Sequence, residues 1–115
     1  MVVVIEKGLT KEDIQKAREE YRTYIKVTAD LAKQIIAIGG EYHADAEIVL
    51  IEKFGSESRN IWGGGYNIEL KQFETNALIN IRQPNNTSME IIDPEARSAF
   101  LAFVSEKLKN IETYL

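Results

Sequence analysis

The stretch Gly39-Gly40-Glu41-Tyr42-His43-Ala44-Asp45-Ala46-Glu47 places the only histidine of the chain among three carboxylates at every second residue. In a β-strand, side chains alternate between the two faces, so the histidine and the three acids would share one face in steps of about 7 Å. The preceding glycines and the following run Ile48-Val49-Leu50-Ile51 favour a strand over a helix. The stretch therefore predicts a polar row on one face of a sheet.

Two other interpretations of this stretch stay open at the level of sequence. Alternation of polar and apolar residues is typical of a solvated sheet face with the core behind it. In a helix, His43 and Glu47 would instead lie one turn apart, as would Glu41 and Asp45.

Length and composition indicate a single domain spanning residues 1–115. The chain is 44% hydrophobic and 28% charged, which suits a single modest core, and it contains no cysteine for disulfides or thiolate metal sites. The net charge of −4 argues against a surface that wraps nucleic acid. The opening run Met1–Ile5 is a strand's length without a basic leader, so we expect neither a signal peptide nor a membrane span, and a cytoplasmic location.

The first half of the chain predicts a strand, a helix and a hairpin. The apolar run Val2–Ile5 indicates a buried strand, and Thr10 with Asp13 has the spacing of a capping box that opens a helix. Residues 23–28 and 35–38 are rich in β-branched residues and predict two strands that turn near Ala32-Lys33. A continued helix through residues 21–35 is the alternative that periodicity leaves open.

The second half predicts further strands and a terminal helix. A strand at residues 61–68 is interrupted by Gly63-Gly64-Gly65, which indicates a bulge or a place where another backbone or a ligand comes close. Residues 76–82 alternate as a strand would, and Asp93-Pro94 has the residues of a helix start. The expected fold is α+β, with a mainly antiparallel sheet of five to six strands, an early helix and a C-terminal helix.

The residues that could carry chemistry are predicted to meet on one sheet face. There His43, Asp45 and Glu47 would approach Asn80 and Arg82, with Asp30 nearby. Imidazole and carboxylate ligands suit a divalent metal such as Mn²⁺, Fe²⁺ or Zn²⁺, whose bound water could attack an ester while Arg82 stabilises negative charge. Without a metal, His43 could act as a general base. Trp62 beside the glycines is a candidate ligand contact, with core packing as the ordinary alternative.

Several strings together resemble a family of small, uncharacterised prokaryotic proteins filed as a domain of unknown function. The resemblance covers nearly the whole chain and implies no reaction, but it implies that the polar positions belong together, which adds Asn67 and Asn86 to the ligand-binding candidates. The chain departs from the family at Gly63-Gly64-Gly65, where Trp-Gly more usually continues directly into a strand. The strings that carry the resemblance are Ala37–Glu41, His43–Glu47, Gly55-Ser56, Trp62-Gly63, Asn67, Leu78–Arg82 and Asn86.

Two classes of function follow from these residues. The first is a small metal-dependent or general-base hydrolase with catalytic His43, Asp45, Glu47 and Arg82, a metal on the first three, and ligand contacts from Asn80 and Trp62. The alternative is a non-catalytic binding or assembly module, regulatory or antitoxin-like, whose exposed sheet edge or C-terminal helix takes a partner chain. The expected partner is accordingly a small molecule or a protein, a second copy of the chain included.

Overall fold

A five-stranded antiparallel sheet organises the computed structural model, which describes all 115 residues. Its strands stand in the order β1-β3-β2-β4-β5, with three helices packed around them. The predicted α+β class, with an early and a C-terminal helix, is confirmed. The elements are β1 (Val3–Ile5), α1 (Lys11–Ala17), β2 (Tyr24–Asp30), β3 (Ile35–Ile38), α2 (His43–Phe54), β4 (Ile61–Asn67), β5 (Gln72–Glu74) and α3 (Pro94–Lys107).

Helices cover both faces of the sheet. The larger core lies between one sheet face and helices α1 and α3, and it includes Val27 of β2 and Phe100 of α3, both fully buried. A smaller core on the other face packs Ala46 and Leu50 of α2 against Ile61 of β4. Since side chains alternate along β2, its polar residues fall on the α2 face. None of the helices combines the length and apolar character needed to span a bilayer.

Local sequence signals account for the ends of α1 and α3. Thr10 accepts a hydrogen bond from the backbone amide of Asp13, whose carboxylate accepts one from the Thr10 amide, so the predicted capping box is present. Asp93 caps α3 by accepting a bond from the Glu95 amide, with Pro94 in the first turn.

Residues 24–38 form the predicted hairpin rather than a continued helix. Strands β2 and β3 pair antiparallel, with Val27 opposite Ile38 and Asp30 opposite Ile35. The buried carboxylate of Asp30 accepts bonds from the backbone amides of residues 32 and 33, which fixes the turn. One carboxylate oxygen of Asp30 therefore serves the hairpin turn.

The predicted strand at residues 43–51 is wrong, because His43–Phe54 is a helix. Gly39 and Gly40 both adopt positive φ angles, which end β3 and redirect the chain. The buried residues of α2 are His43, Ala46 and Leu50, a spacing of three and four that matches one helix face. Packing of that face on the sheet outweighs the strand propensity of the β-branched residues between them.

The predicted strand at residues 76–82 is also wrong. Residues Leu78–Asn80 form one turn of 3₁₀ helix, and only isolated bridges join Asn76 to Glu90 and Arg82 to Asn86. By contrast, the glycine run predicted to interrupt a strand lies inside β4, which pairs without a break with β2 from Ile61 to Asn67. The predicted close approach of another backbone is present at Gly64, where an added Cβ would clash with the Glu74 carbonyl oxygen.

Candidate functional site

Helix α2 separates the residues that the sequence placed on one face. Successive helical residues are about 100° apart, so His43 and Asp45 point to nearly opposite sides. His43 is buried against the sheet, Asp45 is exposed, and Glu47 accepts a 2.7 Å hydrogen bond from the Ser58 hydroxyl. The expectation that the three share a face is wrong. No group of three or more histidine, aspartate or glutamate side chains is arranged to hold a metal ion.

Arg82 is engaged with the backbone near the start of β4. Its guanidinium donates hydrogen bonds to the carbonyls of Arg59 (2.8 Å), Ile61 (2.6 Å) and Ile79 (3.3 Å). It also stacks over the Trp62 ring, 3.9 Å from the ring centroid. Partial burial lowers the pKa of Arg82. These contacts hold Arg82 against the backbone near the start of β4 and the Trp62 ring, and none of them joins Arg82 to His43.

Asn80 binds the open edge of β4. Strand β5 pairs only with residues 65–67 of β4, which leaves Gly63 without a strand neighbour on that side. The Asn80 carboxamide accepts a bond from the Gly63 amide (2.8 Å) and donates one to the Gly63 carbonyl (2.9 Å). Its NH₂ group also reaches the carbonyls of Thr75 and Met89. The fully buried Asn80 therefore joins residues 75–89 to the sheet.

Asn86 and Asn67 are likewise bonded to neighbouring protein groups. The Asn86 amide donates to the carbonyls of Asn80, Ser88 and Glu90 and accepts from the Ile92 amide, so it organises the loop before α3. Asn67 accepts a bond from the Leu70 amide in the turn between β4 and β5. Of the predicted site residues, these two and Asn80 contribute to local structure through almost all of their polar atoms.

A cavity of about 930 Å³ lies on the α2 face of the sheet. Its walls come from β2, the first turn of α2, β5 and residues 75–79, with residues 89, 90 and 97 at one side. Of the predicted site residues, only His43 lines it. Half of the lining residues are hydrophobic, and the lining includes Tyr24, Lys26, Tyr42, His43 and Leu78.

His43 presents a neutral imidazole to this cavity. The side chain is only 8% exposed, and Nε2 lies 2.7 Å from the Gly64 carbonyl. A carbonyl can only accept, so Nε2 carries the proton and Nδ1 is an unprotonated acceptor. Burial lowers the pKa of His43 to about 4, and the nearby charge of Lys26 acts in the same direction. His43 Cδ2 also lies close to Gly63, so the Nε2–Cδ2 edge faces β4 and Nδ1 lies on the edge away from it.

Lys26 is a cation without an anionic partner. Its ammonium lies 4.5 Å from the centroid of the Tyr21 ring and 5.8 Å from that of Tyr24. No ion pair in the structure involves it. Burial lowers the pKa of Lys26, consistent with a charge that has lost part of its hydration.

Glu90, on the acidic side of the cavity, has its charge balanced by hydrogen-bond partners within the protein. That carboxylate accepts bonds from Thr75 (2.8 Å), Asn76 (3.0 Å) and Arg97 (3.1 Å), and the bond from Thr75 is the largest cause of its lowered pKa. Burial raises the pKa of Tyr24, and the nearby acids Glu74 and Glu90 add to this effect. The Tyr24 hydroxyl therefore remains protonated and able to donate.

Lys26 and Tyr24 were missed as site residues, although the sequence carries a signal for them. Lys26 lies between Ile25 and Val27, whose side chains are buried on the core face of β2. A lone cation at such an alternating position must point away from the core, toward whatever covers the opposite face. This strand was predicted, but the polar site was placed on residues 43–47 instead.

A model of the family described as "Protein of unknown function (DUF5674)" matches residues 3–107. No curated protein and no solved structure matches the chain.

We expect His43 to titrate far below an ordinary histidine, because its neutral form is the one that burial favours. As the only histidine, its ring can be followed by NMR, with an expected midpoint near pH 4. The unfolded chain binds this proton near pH 6.5, so the contribution of His43 to stability is complete above that pH and is lost as the pH falls toward 4.

The matched variant is His43→Gln, which can donate to Gly64 but cannot titrate. In urea unfolding, the wild type should lose roughly 2–3 kcal/mol more than this variant between pH 7 and pH 4. A midpoint near 6.5, or equal losses in the two proteins, would contradict the burial of a neutral ring.

Proposed function

We propose a function for this chain, which belongs to the family of unknown function matched by its residues 3–107: it binds a small organic molecule in the cavity on the α2 face. The observation that carries the proposal is a set of polar groups on the cavity wall without protein partners. These are the Lys26 ammonium, the Tyr24 hydroxyl and His43 Nδ1.

Partly buried polar groups are usually hydrogen-bonded within the protein, so several open ones around one recess point to a ligand. The apolar walls support the same conclusion. Ala77 lines the interior, while the exposed side chains of Tyr42, Leu78 and Met89 surround the cavity. A volume of about 930 Å³ lies within the range of small-molecule sites, which combine apolar walls with a few placed polar groups. In this form the protein is a non-catalytic binding module whose partner is a small molecule.

Hydrolysis with His43 as general base is a second candidate, favoured by the free Nδ1 of a ring held in one tautomer. The Gly64 carbonyl fixes that tautomer, as a carboxylate or carbonyl does for many catalytic histidines. A metal on His43, Asp45 and Glu47 is less favoured, because the helix directs Asp45 away from His43. Here only His43 of the predicted catalytic residues would contact the reacting group.

Blocking the cavity tests the binding proposal. Ala44 is exposed in the first turn of α2 and lines the cavity, so Ala44→Trp should place an indole in the recess. The matched control is Ala102→Trp, at an exposed position of α3 outside the cavity. In an NMR screen of aromatic fragments, we expect wild-type shifts at residues 24, 26, 42 and 43, with affinities weakened at least about tenfold by Ala44→Trp only.

Binding that is equal in both tryptophan variants, or fragment shifts confined to other surfaces, would count against the cavity as the site.

The catalytic candidate has its own measurement. An ester that binds in the cavity should be hydrolysed by the wild type and about 10²-fold more slowly by His43→Gln, with its affinity little changed. Undiminished turnover in the variant would remove His43 as the base, and absence of turnover of every bound ester would leave binding as the function.

A further inference from the structure

The unpaired charge of Lys26 is the most specific chemical feature of the cavity. The chain has 18 acidic and 14 basic residues, yet this cation on a central strand contacts no acid. The other cation in the cavity wall, Arg97, is paired with Glu90 and also donates to Thr75. Lys26 is thus the one cationic group on the wall whose charge is not matched inside the protein.

The rings of Tyr21 and Tyr24 attract the Lys26 ammonium but accept no hydrogen bond from it. A ring face attracts an ammonium electrostatically, and it offers no lone pair to the N–H groups. The Tyr21 hydroxyl donates to the Glu41 carbonyl at 2.8 Å and accepts no hydrogen bond from Lys26. The three ammonium hydrogens therefore lack a protein acceptor.

The surroundings of Lys26 favour a ligand oxygen that carries negative charge. The first turn of α2 lines the same cavity, and its N-cap residue Tyr42 supplies no side-chain hydrogen bond, so the positive end of the helix faces the recess uncapped. The protonated Tyr24 hydroxyl adds a neutral donor. Three acids also line the cavity: Arg97 offsets the charge of Glu90, Asn67 and Gln72 donate hydrogen bonds to Glu74, and Glu41 is exposed to solvent.

We infer that the ligand of this cavity is an organic anion, with a carboxylate or phosphate oxygen on Lys26 and an apolar or aromatic body against Tyr42 and Leu78. The inference rests on the proposed function of the cavity and adds the ligand's chemical class. The neutral His43 would accept a hydrogen bond from a hydroxyl or N–H group of the same molecule.

The test compares matched small aromatic compounds by NMR titration. Phenylacetate and phenyl phosphate carry the two forms of anion, and phenethyl alcohol is the uncharged control. In the wild type we expect at least one anion to bind about tenfold or more tightly than the alcohol, because a partly desolvated charge pair is stronger than one in water. The tighter of the two anions identifies the oxyanion.

Variants of Lys26 assign the preference to that residue. Lys26→Met keeps the length of the side chain without its charge and should bring anion and alcohol within about twofold, while Lys26→Arg should retain a preference for the anion. The His43 ring of the wild type gives a readout that needs no variant. A bound anion should raise its pKa from about 4, and the alcohol should not.

These outcomes distinguish failure of the inferred anion preference from failure of the proposed small-molecule site. Equal binding of anion and alcohol to the wild type, or a preference that survives in Lys26→Met, would overturn the inference and leave a small-molecule site. If none of the three compounds shifts the cavity residues, both statements fail. Loss of the preference in Lys26→Met with retained binding of the alcohol supports both.

Discussion

The pair of hydrogen bonds between the Asn80 carboxamide and the backbone of Gly63 is the contact on which the candidate site depends. Strand β4 is seven residues long, whereas β5 covers only three of them. The remaining peptide groups on that edge would be buried without partners, at a cost of about 1–3 kcal/mol each. A side-chain amide has the same donor and acceptor as a peptide group, so Asn80 completes the edge where the fifth strand ends.

The cavity forms because the Asn80 side chain, and not a further strand, pairs with this part of the β4 edge. Because Asn80 and Arg82 reach the edge of β4 through their side chains, the segment before them need not lie in the plane of the sheet. Residues 75–79 instead form one wall of the recess. Gly63 contributes by having no side chain, since a Cβ there would lie 2.6 Å from Ala77 and 3.0 Å from the His43 ring. The same glycine thus accepts the Asn80 contact and leaves room for the imidazole.

Sequence reasoning succeeded where short-range signals decide structure and failed where long-range packing does. The Thr10 capping box, the Asp93-Pro94 helix start and the hairpin before Gly39 each depend on residues close together in the chain. Helix α2 was predicted as a strand because its propensities favour a strand and only docking on the sheet reveals its buried face. The predicted site was built on that expected strand, so its residues were placed on one face. His43 lines the cavity, but beside Lys26 and Tyr24, which come from a different strand from the one on which its neighbours were expected.

Amide hydrogen exchange at Gly63 tests the account most directly. In the wild type, the Gly63 amide should be protected although it points to the side where no strand neighbours Gly63, because Asn80 accepts its hydrogen bond. Asn80→Ala should accelerate its exchange by about 10²-fold or more relative to the wild type, while Asn85→Ala, at an exposed position of the same loop, should not. An unprotected Gly63 amide in the wild type, or one equally protected in Asn80→Ala, would contradict the account.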